Sequence, residues 1–146
     1  MDCFSLKGKV AIVTGCRVGL GAGIAAGLAQ AGAHIFGVGS NPDMSETKEK
    51  VEAFGVRFES MAADLTSIER VDEIVNTCLE KFGRVDILVN NAGIIRREDA
   101  VNFSEKDWDD VININLKTVF FLSQRVAKEF IRRQSGGKII NVASML

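Results

Sequence analysis

Apolar positions in this chain fall into two alternating patterns: short runs rich in β-branched residues, and longer stretches where they recur every three or four positions. Such alternation is the mark of repeated βαβ units around a parallel sheet. The runs at 10–14, 34–38, 56–61, 86–89 and 138–142 predict five strands. Between them, Leu20, Ile24 and Leu28 with Ala25 and Ala29 mark a helix ending at Gly32. Asp43 and Glu46 have capping-box spacing before a short polar helix closed by Gly55, and Thr66 and Glu69 repeat that spacing before the stripe Ile68, Val71, Val75, Cys78 and Phe82. Ser104 and Asp107 open a long helix reaching Gln134, where Gly136 and Gly137 break it. The expected architecture is α/β, a three-layer doubly wound parallel sheet. With Pro42 as its only proline and no linker or low-complexity stretch, residues 1–146 read as a single domain.

Composition narrows the function classes. The 146 residues are 47% hydrophobic and 25% charged, average for a soluble globular protein, and no apolar run reaches the ~20 residues of a membrane helix. The formal net charge of −1 comes from interspersed acids and bases, so no basic stripe awaits nucleic acid. The N-terminus lacks the pattern of a secretory signal, which makes the cytoplasm the expected location. Cys3, Cys16 and Cys78 are scattered and His34 is the single histidine, so no metal site is expected and the thiols read as reduced and buried.

The segment Thr14-Gly15-Cys16-Arg17-Val18-Gly19-Leu20-Gly21 joins the first strand to the first helix, where doubly wound sheets bind phosphates. Gly15 allows a tight turn, Gly19 a close approach of backbone to a diphosphate, and Gly21 close packing of helix on sheet. Amides between Gly15 and Gly21 are therefore expected to face an anion site. The Lys-Ser/Thr pair of the ATPase phosphate loop is absent, with Ile24 and Ala25 beyond the last glycine, so dinucleotide binding outweighs phosphoryl transfer. Cys16, beside a helix N-terminus, is either an acidified thiol or a space-filling one.

This G-x-x-x-G-x-G spacing resembles that of the short-chain dehydrogenase/reductase family, whose domain is a Rossmann fold. Three further segments carry the resemblance: Asp64-Leu65 after the third strand, Asn90-Asn91-Ala92-Gly93 after the fourth, and Asn115 in the long helix followed by Ser144 after the fifth. It implies a nicotinamide-dependent oxidoreductase acting on CH–OH, with cofactor contacts at Gly15, Arg17, Val18, Gly19, Leu20, Gly21, Ser40, Asp64, Leu65, Asn91, Ala92 and Gly93. Ser144 would be the catalytic serine, and Asn115 would hold a water of the proton relay. Within the family, Ile94 to Ala100 and Phe103 to Trp108 look most like dehydrogenases of deoxy sugar acids. A homo-oligomer is implied for the full-length form.

Read from the residues alone, Asn115 lies among Trp108, Ile112, Val119, Leu122, Val126 and Phe130 at helical spacing, so its amide must find partners. A core asparagine bridging helix and sheet satisfies that equally well. Arg96 or Arg97 could pair with a substrate carboxylate, or both are solvated charges beside Glu98 and Asp99. Gly39 and Ser40 stand where an acidic residue would take the ribose 2′-hydroxyl. NAD is the expected cofactor, with NADP as the alternative through Arg17.

The chain departs from the family pattern in one respect: it contains no tyrosine, whereas the family's proton donor is the tyrosine of a Tyr-x-x-x-Lys helix. The chain as it stands is therefore expected to bind cofactor feebly and to turn over slowly or not at all. A non-catalytic dinucleotide-binding or interaction module is the competing reading, and an open fifth strand predicts self-association.

Overall fold

The computed structural model describes residues 3–144. Its elements are β1 (Val10–Thr14), α1 (Gly19–Gln30), β2 (His34–Gly39), α2 (Ser45–Glu52), β3 (Phe58–Ala62), α3 (Val71–Phe82), β4 (Ile87–Asn90), α4 (Glu105–Ile112), a π-helical turn (Asn113–Lys117), α5 (Thr118–Arg133) and β5 (Lys138–Asn141). The strands form one parallel sheet in the order β3-β2-β1-β4-β5. The order reverses direction between β1 and β4, which opens a crevice beyond their carboxyl ends.

Alternation along β1 divides the core. Val10 and Ile12, with Phe36, Val38 and Leu88, pack against Ile74, Val75 and Cys78 of α3 and Leu122, Val126 and Phe130 of α5. Ala11 and Val13, with Ile35 and Val89, face Ala25 and Ala29 of α1 and Val51 of α2. The doubly wound expectation therefore holds, with helices on both faces. Helix α1 meets the sheet through small residues, with Ile24 and Leu28 of the stripe partly buried beside them, and only Leu20 departs from the stripe read from sequence. Gly21, Ala22, Ala25 and Ala29 are the buried positions of α1, and Leu20 stays 64% exposed.

Two of the three capping boxes do not form. Asp43 Oδ1 accepts from the amide and hydroxyl of Ser45, a local turn, and Glu46 pairs with Lys50, so α2 starts after Met44 with no side-chain cap. Asp64 Oδ1 likewise takes both the amide and the hydroxyl of Thr66 in a local turn, and α3 begins only at Val71, with no side-chain cap. Short polar side chains prefer such nearby backbone donors whenever the chain is still turning. The third box forms as read: Ser104 Oγ accepts from the Asp107 amide and donates to its carboxylate.

At the amino-terminal rim of the sheet, Asp86 is nearly buried and accepts from the Val10 amide, from Arg84 in a bidentate pair and from Arg133 at 3.3 Å. Burial works to raise its pKa, but these donors together hold it below the ordinary carboxylate range. Cys16 and Cys78 are buried as expected, whereas Cys3 is exposed. No helix among the described residues is long and apolar enough to cross a membrane, and none of their His, Cys, Asp and Glu side chains form a metal-binding group.

Candidate active site

The loop between β1 and α1 is fastened from behind. The Gly15 amide donates to the Val38 carbonyl at 2.7 Å, so this one amide is satisfied by the protein itself and does not face an anion, contrary to the expectation for the whole span. Asn91 Nδ2 donates to the carbonyls of Thr14 and Gly15 at 3.0 and 3.1 Å. Cys16 is sealed behind the loop, with its sulfur 3.9 Å from that of Met44. Burial pushes its thiol up to about 11, against a weaker pull from the amides of Val38 and of Cys16 itself. The space-filling reading of Cys16 therefore wins over acidification by the helix N-terminus.

The front of the loop is open. Gly15 and Gly19 have φ of +65° and +59°, conformations that glycine adopts without strain, and no atom lies within 4 Å of where a Gly19 Cβ would be. Gly21 is required for the opposite reason: a Cβ there would collide with the Gly15 carbonyl and come within 2.5 Å of Asn91 Nδ2. Helix α1 has Val18 at its N-cap, no side-chain cap and no acidic residue in its first turn, so its first amides and positive dipole end are not neutralised locally. The crossing thus has what a diphosphate needs: unshielded donors, a favourable dipole and no Cβ in the way.

Leu20 and Asn91 also line a cleft of about 910 Å³ with Ala92, Gly93, Ile94, Arg96, Phe103, Trp108, Asn115, Asn141 and Ser144. Asn115 reaches this cleft through the π turn, whose widened spacing is marked by the Thr118 amide bonding to the Asn113 carbonyl. Its amide is exposed to the cleft, which Trp108, Ile112 and Val119 of the same stripe also line, and so is not buried in the core as the sequence suggests. It is nevertheless held at both ends: Oδ1 accepts from the Ile94 amide at 3.0 Å, and Nδ2 donates to the Ile94 carbonyl at 2.9 Å. A widened turn disrupts the i→i+4 ladder, and such turns recur at functional sites where water enters the ladder.

The remaining residues singled out from sequence are distributed around this centre. Arg96 is on the cleft wall, paired with Asp107 at 3.2 Å, while Arg97 is exposed and outside the lining. Asp64 is exposed with its carboxyl held low by the Thr66 amide and hydroxyl, and Leu65 is buried, its carbonyl accepting from Thr118. Ser40 is exposed just past β2, and Arg17 lies near Asp43 and Glu46, whose carboxyls its charge helps to lower.

Sequence reasoning missed three polar groups that build the site. Thr14 Oγ1 donates to the Val89 carbonyl and accepts from the amides of Asn91 and Ala92, locking the end of β1 to the turn after β4. Asn90 Nδ2 bridges Ser123 and Asn141, joining β4, α5 and β5. Thr47 reaches the loop from α2. The available signal was a polar residue at the carboxyl end of an apolar strand for the first two. For Thr47 the sequence held none.

The chain matches the short chain dehydrogenase family over residues 9–146, and it belongs to that family. It is 58% identical over its whole length to the 2-dehydro-3-deoxy-D-gluconate 5-dehydrogenase of Escherichia coli (strain K12), of which it covers 57%. It is 40% identical over 145 residues to the gluconate 5-dehydrogenase of Gluconobacter oxydans (strain 621H), covering 99% of this chain and 56% of that one. A short-chain type dehydrogenase/reductase from Mycobacterium marinum superposes with a TM-score of 0.93 at 28% identity, over 99% of this chain and 59% of that one. A protein from Agrobacterium tumefaciens assigned provisionally as a 2-deoxy-D-gluconate 3-dehydrogenase, solved with bound NADP, superposes with a TM-score of 0.88 at 40% identity, over 99% of this chain and 56% of its own. The chain therefore spans little more than half the length of these relatives.

Proposed function

We propose that the chain is the cofactor-binding part of an NAD(P)-dependent oxidoreductase that interconverts a CH–OH and a C=O group on a deoxy sugar acid. The observation that carries this reading is the Gly15-to-Gly21 crossing, open in front and braced behind, leading through Leu20 and Asn91 into a cleft that holds Asn115 and Ser144. A bound nicotinamide would supply the hydride acceptor or donor. Gly19, Leu20 and Gly21, with Arg17 and Val18, would hold the diphosphate and ribose; Asp64 and Leu65 would meet the adenine, Ser40 the adenosine ribose, and Asn91, Ala92 and Gly93 the nicotinamide half. Gly15 contributes by its turn, since its amide is already spent.

Ser144, on the cleft wall, would orient the substrate oxygen by a hydrogen bond. The side chain of Asn115 is committed to Ile94, so the water it helps to place would rest on main-chain carbonyls of the π turn. Arg96, charged and held in place by Asp107, would receive the acid's carboxylate ahead of Arg97, which stands off the cleft. None of these 146 residues is a tyrosine, so no side chain here supplies the phenolic proton that general acid catalysis uses, an effect worth roughly 10²–10⁴-fold. Alone, the chain would bind cofactor weakly and turn over slowly.

The relatives' names support the substrate class, and the NADP in one of them supports a nicotinamide cofactor without choosing between the two forms. We favour NAD, because Ser40 carries no positive charge for a 2′-phosphate and Arg17 shares its charge with Asp43 and Glu46. Calorimetric titration with NADH and NADPH tests both points: heat from NADH at lower concentration is expected. Tighter NADPH binding would reverse the preference, and no heat from either would remove the reading.

A further inference from the structure

We propose that Thr47 of α2 is a positioning residue for the nucleotide loop, holding the peptide units after Cys16 and Arg17 so that their amides face the crevice. The inference rests on the dinucleotide reading above. Helix α2 is a solvated element with only Thr47 and Val51 buried, and Thr47 is 0% exposed. Its hydroxyl, with one proton to give, lies 2.8 Å from the Cys16 carbonyl and 2.9 Å from that of Arg17, so the two share it and both turn toward Thr47. Packing alone would be served as well by valine at this place.

The consequence follows from peptide geometry. In a trans unit the carbonyl and the next residue's N–H point in opposite directions, and no described peptide bond is cis. The rule can be checked two units earlier. Asn91 takes the Thr14 carbonyl on one side, and the Gly15 amide of the same unit duly points the other way, into Val38. Applied to the next units, turning the Cys16 and Arg17 carbonyls toward Thr47 sends the amides of Arg17 and Val18 away from α2. Asn91 and Thr47 thus grip successive stretches of one loop. The stretch held by Asn91 turns its amide into the protein, and the stretch held by Thr47 turns its amides outward. Donors fixed before the ligand arrives need no reorganisation on binding.

The test compares the chain with Thr47→Val and Thr47→Ser by titration with NADH, ADP-ribose and nicotinamide riboside, alongside urea melts. Thr47→Val should weaken NADH and ADP-ribose by roughly ten-fold or more while leaving the riboside, which has no phosphate for this loop to hold, within two-fold. Thr47→Ser should restore binding of all three. Equal binding by Thr47→Val, or equal loss for the riboside, overturns the proposal. Should Thr47→Val fail to fold, amide resonances of the unsubstituted chain decide: those of Arg17 and Val18 must shift on adding ADP-ribose, and their silence while the ligand binds overturns it. If the unsubstituted chain binds neither NADH nor ADP-ribose, the dinucleotide reading falls first and takes this inference with it.

Discussion

A single methyl group separates two glycines of α1 that the sequence cannot rank. At Gly21 an added Cβ meets the Gly15 carbonyl and Asn91, both backbone or tightly held groups, whereas at Gly23 it meets nothing within 4 Å. Gly21→Ala should therefore lower stability by about 1–3 kcal/mol through overpacking, and Gly23→Ala should raise it by roughly 0.5–1 kcal/mol through helix propensity; urea midpoints of the two variants check the opposite signs. The thiols give a second residue-scale prediction. Burial pushes Cys16 to about 11 and Cys78 to about 12, so both stay protonated at neutral pH, while Cys3 is exposed. One thiol per native chain should react quickly with a disulfide reagent at pH 8 and three after denaturation; fast reaction of Cys16 would mean the loop opens. The glycines were legible because spacing alone carries them. Thr47 was not, because its meaning depends on which carbonyls a later helix finds 30 residues away in sequence.

At the scale of elements, strands and helix stops were legible, whereas of the capped helix starts only that at Ser104 was. Apolar runs fix the strands to within a residue or two, and Gly83, in the left-handed region, ends α3 where read. The starts of α2 and α3 were misread because Asp43 and Asp64 close local turns on Ser45 and Thr66, and the helices begin further along. Helix α5 ends at Gln134, a non-glycine residue with φ of +53°. Gln134→Gly should stabilise the fold by about 0.5–1 kcal/mol in the same urea assay, and destabilisation would show that the glutamine side chain matters more than the strain. The Asp86 clasp sets the acid limb of stability. Its folded-state pKa lies below the unfolded value of about 3.9, so its contribution is complete above that pH and is lost as pH falls through the lower folded value. Asp86→Asn should cost roughly 1.5–3 kcal/mol at pH 7, with the gap to the unsubstituted chain closing as pH falls below about 4; a pH-independent gap would contradict the charge argument.

Across the whole molecule, the strand order and the two helical layers followed from βα alternation, but the difference in what fills the layers did not. Alanines of α1 face one side of the sheet, whereas larger residues of α3 and α5 face the other. The rim strand β5 is exposed along all four residues, and Phe120 and Ile131 of α5 are 59% and 76% exposed. Such surface favours self-association of this chain, and sedimentation at rising concentration should show it; a monodisperse monomer with cooperative melting would not fit. The Asp86 clasp and the glycine crossing occupy opposite ends of β1, and five residues at about 3.3 Å each separate them by roughly 15 Å. Perturbations that far apart without shared partners combine independently. Robustness and ligand affinity are thus tunable by separate hands: a chain hardened around Arg84 and Arg133 should accept changes around Gly19 and Thr47 that the parent could not survive.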